Sequence, residues 1–217
     1  MIINLNLRGR LVIVVGGGNE ALKRINSLLK ENCQIMVISN RINNKIKTLV
    51  KTKKIKFKKQ KIQNSSVLFA FNPYMVITTT DNKKLNQKII NDSVKKKIIS
   101  YSSDNPELSD FANPAIIDFE NTIQIGIFTG GKSPAMSKKL RMESEKIFKK
   151  IITKEDINQI KIQNIVRELA KDMIAAQKER KMYLNSIMSD KDIKQLIKDG
   201  QLKKAEKRAI TILRNWK

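Results

Sequence analysis

Short runs of branched apolar residues recur along the first half of the chain. Leu11-Val-Ile-Val-Val15, Gln34-Ile-Met-Val-Ile-Ser39, Met75-Val-Ile-Thr-Thr-Thr80 and Lys97-Ile-Ile-Ser-Tyr-Ser102 predict strands buried on both faces. Lys54-Ile-Lys-Phe-Lys58 alternates instead and predicts an edge strand with its lysines outward. Between the runs, apolar positions take helical spacing, from Ala21 after the first run and through Leu85, Ile89, Ile90 and Val94 after the fourth. Strands alternating with helices of these lengths predict an α/β fold, a Rossmann-type doubly wound parallel sheet. Ligands of such sheets bind beyond the carboxyl ends of the strands. Gly16 to Gly18, Ser39-Asn40, Thr79-Thr80-Asp81 and Ser102-Ser103-Asp104 are therefore predicted to converge on one crevice.

The pattern changes near residue 113. Ala115-Ile-Ile-Asp-Phe119 and Thr122-Ile-Gln-Ile-Gly-Ile-Phe128, separated by Glu120-Asn121, predict an antiparallel hairpin. Ser133-Pro134 supplies an N-cap and first-turn pair for a helix reaching Lys150. From Thr153 the chain reads as helical: Thr153 and Asp156 make a capping box, and Ile162, Val166, Leu169 and Met173 an apolar stripe. Ser189 with Asp192 predicts a further helix start, Gly200 a stop, and Leu202 to Trp216 a last helix. The predicted division is a dinucleotide-binding domain over 1–113, a hairpin-and-helix segment over 114–150 and a helical domain over 151–217. The methionine and isoleucine stripes read as core or dimer packing.

The first strand runs directly into Gly16-Gly17-Gly18-Asn19-Glu20-Ala21, which carries the G-x-G-x-x-A spacing of a dinucleotide fold. Gly16 permits the tight turn, Gly18 lets backbone approach a pyrophosphate, and Ala21 lets helix pack closely on strand. The pyrophosphate would sit on unpaired N–H groups of the helix start. About 20 residues on, where a ribose contact is expected, stand Ser39, Asn40 and Arg41. No acid of the NAD type occupies that place, Asn40 can still bind a ribose hydroxyl, and Arg41 leaves NADP open. Thr79, Thr80 and Asp81 complete the nucleotide-facing set, Asp81 also reading as a cap for the next helix. Asp104 follows the fifth strand on the cofactor side; either it serves chemistry or it forms a turn before Asn105-Pro106. Asp110 and Asp118 are weaker candidates. Thr129-Gly-Gly-Lys-Ser-Pro134 is similar to a phosphate loop but lacks its spaced glycines; its N–H groups suit a substrate carboxylate.

Composition narrows the chemistry. The chain has no histidine, which excludes Ser-His-Asp and Cys-His catalysis and His-ligated zinc, so proton transfer falls to other groups. Its one cysteine, Cys33, excludes an intramolecular disulfide framework and reads as a small buried hydrophobe. No metal site is expected. There is no apolar run long enough to span a membrane and no signal-peptide pattern, so the expected setting is cytoplasmic. Among 217 residues, 44 basic against 20 acidic ones leave a net charge of +24. With aromatics at 5% and no stacking motif among the lysines, no specific nucleic-acid partner is expected; solvated faces or a polycarboxylate ligand fit the charge.

These pieces resemble the precorrin-2 dehydrogenase module, the N-terminal part of siroheme synthase. The resemblance is carried by Leu7-Arg-Gly-Arg10, Val15-Gly-Gly-Gly-Asn-Glu-Ala21, Thr79-Thr-Asp-Asn82 with Leu85-Asn86, Asp104-Asn-Pro106, Phe111, Pro114-Ala-Ile-Ile-Asp118 and Thr129-Gly-Gly-Lys-Ser-Pro-Ala135, in family order over residues 1 to about 150. It implies oxidation of precorrin-2 to sirohydrochlorin with NAD as hydride acceptor, and a homodimer built on the hairpin and following helix. It implies Asp104 as the catalytic aspartate, and gives the basic surface a polycarboxylate tetrapyrrole as substrate, with Thr129, Gly130, Gly131, Lys132 and Ser133 as its contacts. Glu20 departs from the small or aliphatic residue usual in the family beside the pyrophosphate. No fused methyltransferase domain is expected after Trp216. Two alternatives stay open: a bifunctional dehydrogenase and sirohydrochlorin ferrochelatase, and a non-catalytic nucleotide-sensing module.

Overall fold

A computed structural model describes residues 3–216, so residues 1, 2 and 217 of the predicted domains lie outside the described residues. The chain forms two compact units, one up to Asn113 and one from Pro114.

In the first unit, strand β1 (Leu11–Val15) buries four successive residues because both faces of its sheet are covered. Val12 and Val14 pack with Ala21 and Ile25 of helix α1 (Asn19–Leu28), Ile13 and Val15 with residues of the opposite layer, Leu68 and Ile89. Each such fully buried aliphatic contributes about 1.5–3 kcal/mol. β2 (Gln34–Ser39), helix α2 (Asn44–Lys51), β3 (Lys56–Lys59), a single turn α3 (Ser66–Phe69), β4 (Met75–Thr78), α4 (Lys83–Lys95) and β5 (Ile99–Ser102) follow. The five strands pair in parallel in the order β3-β2-β1-β4-β5. This is a Rossmann-like doubly wound sheet, with β1 at the centre and the carboxyl ends of β1, β4 and β5 side by side.

Several expected boundaries move for local reasons. β4 stops at Thr78 because Thr79 turns both its N–H and its hydroxyl onto the Val15 carbonyl, each at 2.8 Å. β5 starts at Ile99 because Lys97, at φ +56°, still closes the end of α4. Asn82, not Asp81, caps α4: its side chain accepts from Leu85 N–H at 3.0 Å, and Asp81 is exposed beside it. α2 and α3 carried no predicted element. Cys33 is half-buried rather than buried, its thiol donating to the Leu28 carbonyl at 3.4 Å, and burial pushes its pKa up.

In the second unit, β6 (Ala115–Phe119) and β7 (Ile123–Ile127) form an antiparallel hairpin. Three residues separate the paired Phe119 and Ile123; Glu120 and Asn121 both take positive φ, +54° and +53°, and Thr122 N–H donates to the Phe119 carbonyl at 2.9 Å to close the turn. Helix α5 (Pro134–Ile151) is capped by the Ser133 side chain, and α6 (Lys154–Met173) by the Thr153–Asp156 capping box. α7 (Gln177–Ser189), α8 (Lys191–Lys198) and α9 (Leu202–Arg214) close a bundle on α6. The buried stripe of α6 runs Ile162, Val166, Ala170 and then Ile174. Leu169 and Met173 of the predicted stripe are 39% and 53% exposed instead. Tyr183 fills the bundle centre, its hydroxyl donating to the Ala209 carbonyl at 3.0 Å and its ring set edge-on to Trp216. No helix among the described residues is long and apolar enough to cross a membrane.

The start of α8 corrects another expectation. Ser189 ends α7, and the cap is Asp190, which accepts from Ile193 N–H at 2.8 Å and from the Arg208 guanidinium of α9 at 3.1 Å on each oxygen. The Arg208 hydrogen bond foremost, opposed by slight burial, holds the Asp190 carboxyl below its ordinary range. Asp190→Ala is expected to lower the stability of this unit by about 1–2 kcal/mol, read from urea unfolding followed by the fluorescence of Trp216, the one tryptophan of the chain. Because the folded pKa is depressed, this contribution is present above the unfolded value and is lost as pH falls through the folded one.

Candidate nucleotide-binding and catalytic site

The turn between β1 and α1 is shaped by three glycines that do different things. Gly16 lies at φ +118°, and a Cβ there would stand 2.4 Å from Thr79 Oγ1, so the end of β4 presses directly on the turn. A Cβ on Gly17 would stand 2.1 Å from the Arg41 carbonyl oxygen, so the loop after β2 presses on it from the other side. Over Gly18 the space is open, with no atom within 4 Å of a Cβ position. Gly18 is also the N-cap of α1 and supplies no side-chain cap, whereas α2 and α4 are capped by Asn43 and Asn82. Ala21, wholly buried, brings α1 onto the sheet. A first turn of N–H groups with room above it suits a pyrophosphate.

Neighbouring groups hold this cradle. Asn43 N–H donates to the Gly17 carbonyl at 2.9 Å, and its side-chain amide to the Gly18 carbonyl at 3.3 Å and to Asn19 Oδ1 at 3.4 Å. Glu20 turns along its helix to Lys23 at 3.0 Å and Arg24 at 2.6 Å. Partial burial would raise its pKa, but those two cations outweigh it and leave the carboxyl below its ordinary range. The charge that a phosphate would meet at Glu20 is thus offset locally. Arg24 in turn lies over the Tyr101 ring at 4.7 Å.

From Thr80, the residue after Thr79, hydrogen bonds lead through Asn86 to Asp104. Thr80 donates its hydroxyl to Asn86 Oδ1 at 2.6 Å, and Asn86 Nδ2 donates to the Thr80 carbonyl at 2.8 Å and to Asp104 Oδ1 at 2.9 Å. Ser102 Oγ donates to the same Oδ1 at 2.7 Å, itself accepting from Thr78 Oγ1 at 3.1 Å. Both bonds on Asp104 land on Oδ1, which leaves Oδ2 as the atom for a ligand. Asn86 is only 1% exposed although it begins the second turn of a surface helix. It went unassigned as a site residue because its partners lie at Thr80 and Asp104, in separate segments. Its sequence signals are a polar residue at an inward position of α4 and its place in the Leu85-Asn86 pair that carries the resemblance.

The remaining candidates are placed as follows. Ser39 donates its hydroxyl to the Arg41 carbonyl at 2.8 Å, while Asn40 and Arg41 are exposed at the end of β2. Asp110 is structural: its Oδ2 accepts from Ser100 N–H and Oγ at 2.7 and 3.0 Å, covering the edge of β5. Asp118 accepts from Asn121 N–H at 2.8 Å within the hairpin. In the second unit, Thr129 Oγ1 lies 2.9 Å from Ser137 Oγ and accepts from Ser133 N–H at 3.3 Å, and the Ser133 hydroxyl caps α5 by accepting from Met136 N–H at 3.2 Å. Gly130, Gly131 and Lys132 stay on the surface. No metal-capable group of three or more His, Cys, Asp or Glu occurs among the described residues.

A parallel sheet in 3-2-1-4-5 order with a glycine turn at its central strand defines a dinucleotide-binding Rossmann domain. The chain belongs to the putative NAD(P)-binding family, whose profile matches residues 3–115. It is 31% identical over 144 residues to a siroheme synthase of Actinobacillus pleuropneumoniae serotype 7 (strain AP76), a match covering 66% of this chain and 29% of that protein. It is 27% identical over 145 residues to the precorrin-2 dehydrogenase of Bacillus subtilis (strain 168), covering 67% of this chain and 86% of that one. Its matches span 25% to 40% of the length of siroheme synthases. A solved structure of SirC, a precorrin-2 dehydrogenase, shares the fold over 96% of this chain and 99% of its own, with a TM-score of 0.69 at 19% identity.

Proposed function

We propose that this chain is an oxidoreductase that oxidises precorrin-2 to sirohydrochlorin with NAD as hydride acceptor, in siroheme biosynthesis. The observation that carries the reading is Asp104, a carboxylate fixed by two hydrogen bonds on one oxygen and joined through Asn86, Thr80 and Thr79 to the glycine turn. The relatives named above as precorrin-2 dehydrogenase and siroheme synthase support it. In this reaction the substrate loses a hydride and a proton and gains a ring double bond. When bound, the nicotinamide supplies the acceptor for the hydride. The dinucleotide would be held by Gly16, Gly17, Gly18, Asn19, Glu20 and Ala21 at the pyrophosphate, by Ser39 and Asn40 at the ribose, and by Thr79, Thr80 and Asp81 along the β4 end. Asp104 Oδ2 takes the proton, a role a carboxylate performs without histidine. Asn86 and Ser102 hold that oxygen pair in one orientation throughout.

The loop at Thr129, Gly130, Gly131, Lys132 and Ser133 is assigned to the substrate's carboxylates, with Lys132 the exposed cation. The 18-residue α5 buries only Ser137 while Met136, Leu140, Ile147 and Ile151 are 37–62% exposed. Water-facing apolar area of that kind is covered in an assembly, and we assign the hairpin and α5 to a homodimer interface. The dimerisation segment then spans 114–150, and the helical domain 151–217. A lone free thiol at Cys33 suits the cytoplasm.

Anaerobic, metal-free incubation of the purified chain with precorrin-2 and NAD, followed by absorption, tests the reading. Sirohydrochlorin appearing with one NADH per turnover supports it. Absence of conversion with NAD or NADP, from folded protein that still binds nucleotide, would sink it and favour a nucleotide sensor. Asn86→Leu is expected to lower kcat about tenfold to a hundredfold with little change in the KM for NAD, since it acts by letting Asp104 wander. Loss of nucleotide affinity in equal measure would instead make Asn86 a general support of the fold.

A further inference from the structure

We infer that the ribose end of the nucleotide site recognises a 2′-phosphate, so that the chain binds NADP at least as tightly as NAD, with Arg41 the discriminating residue. The inference rests on the dinucleotide reading above and adds the specificity of its adenosine half.

The ribose of a dinucleotide on this fold meets the end of β2, where an acid selects the free 2′-hydroxyl and an arginine accommodates a phosphate. Here the end of β2 is Ser39, Asn40 and Arg41. The chain has ten Lys or Arg and no Asp or Glu between Asn32 and Thr80, a stretch that runs from the start of β2 through α2, β3 and α3 to just past β4. No carboxylate in that half of the sheet is available to select a hydroxyl or to neutralise Arg41.

Charge alone would make only a diffuse cationic face, but the backbone of Arg41 is held in place. Its carbonyl accepts from Ser39 Oγ at 2.8 Å and packs where a side chain on Gly17 would otherwise stand. Two residues on, Asn43 bonds the loop to the Gly17 and Gly18 carbonyls. Arg41 therefore leaves the same rigid turn that would carry the pyrophosphate, with its own side chain exposed and no ion pair among the described residues. On the neighbouring strand Lys59 pairs in register with Ser39 and adds a second exposed cation. Gln60, whose N–H donates to the Ser39 carbonyl at 3.0 Å, keeps a buried side-chain oxygen without a partner among the described residues. A guanidinium fork matches a phosphate dianion in shape as well as charge.

The test is calorimetric titration of the full chain and of Arg41→Ala with NAD, NADP, 2′,5′-ADP and 3′,5′-ADP. The last two carry equal charge and differ only in the position of one phosphate. We expect NADP to bind at least as tightly as NAD, and 2′,5′-ADP more tightly than 3′,5′-ADP. Arg41→Ala should shift the ratio of the NADP and NAD dissociation constants about tenfold toward NAD, as loss of a hydrogen bond to a charged group predicts. Three results overturn the inference while leaving the dinucleotide reading intact: NADP bound tenfold or more weaker than NAD, an unchanged ratio in Arg41→Ala, or equal binding of the two bisphosphates, which would mark a non-specific lysine field. Binding of neither dinucleotide by folded protein would overturn the nucleotide site itself, and this inference with it.

Discussion

Replacing Asp104 by Asn is expected to abolish most of the turnover of precorrin-2, by about 10²–10⁴-fold, the usual worth of a positioned general base. The substitution is nearly isosteric. Its side-chain oxygen can still accept from Asn86 Nδ2 and Ser102 Oγ, which reach Asp104 Oδ1 at 2.9 and 2.7 Å in the native chain. What disappears is the negative charge and the lone pair that takes a proton. Asp104 is held by Asn86 and Ser102, outside the glycine turn, so the dissociation constant for NAD should stay within about twofold, a surface change of that size being small. Anaerobic single-turnover measurements with the dinucleotide bound in advance separate the two effects. Turnover close to native in Asp104→Asn would remove the proton-transfer role and leave Asp104 as the turn former that its place before Asn105-Pro106 also allows.

The parts of this architecture that were legible in the sequence are those whose signal is local. β1, β2 and β4 are buried on both faces, so their apolar runs stand out without reference to any partner. The Thr153–Asp156 box is likewise complete within four residues. α2 is different: of its eight residues only Ile46 is fully buried, Leu49 and Val50 are half-buried against the core, three lysines face outward, and its best local signal is the Asn43 cap. α7 has no side-chain cap at all. α6 carries two apolar rows, one through Ile162, Val166 and Ala170 and one through Ile165, Leu169 and Met173. Both have helical spacing, and the choice between them is made by Ala205 and Ala209, whose small side chains let α9 approach the first row. The same distinction separates the site residues. Gly16, Gly18 and Ala21 announce themselves by spacing, whereas Asn86 matters because α4 and β5 bring it against Asp104. Gly17 matters because the loop after β2 crosses it. Neither tertiary contact leaves a mark on neighbouring sequence.

That crossing makes Gly17 and Gly18, adjacent and chemically identical, differ in what the same substitution does to stability. In Gly17→Ala the new methyl would lie 2.1 Å from the Arg41 carbonyl oxygen and 2.8 and 2.9 Å from Ile42 Cγ2 and Cα. Two of those three atoms are backbone, so no rotamer change relieves the overlap and the loop over residues 41–43 must move outward. Moving it stretches the Asn43 N–H bond to the Gly17 carbonyl, 2.9 Å in the native chain, and the side-chain bond to Gly18. The expected cost is about 1–3 kcal/mol of stability in the first unit, the range for overpacking, with faster hydrogen exchange at the β1 and β2 amides as its readout. Dinucleotide affinity should fall at least about tenfold as well, since both the pyrophosphate turn and the ribose loop shift. In Gly18→Ala the methyl meets no atom within 4 Å, and φ −88°, ψ −163° is extended backbone open to alanine. Stability should then change by less than about 1 kcal/mol, the scale of an N-cap exchange, while dinucleotide affinity still drops because the methyl occupies the space a pyrophosphate needs. If Gly18→Ala binds NAD and NADP as the native chain does, the pyrophosphate does not lie over this turn, and the open space above Gly18 has some other use.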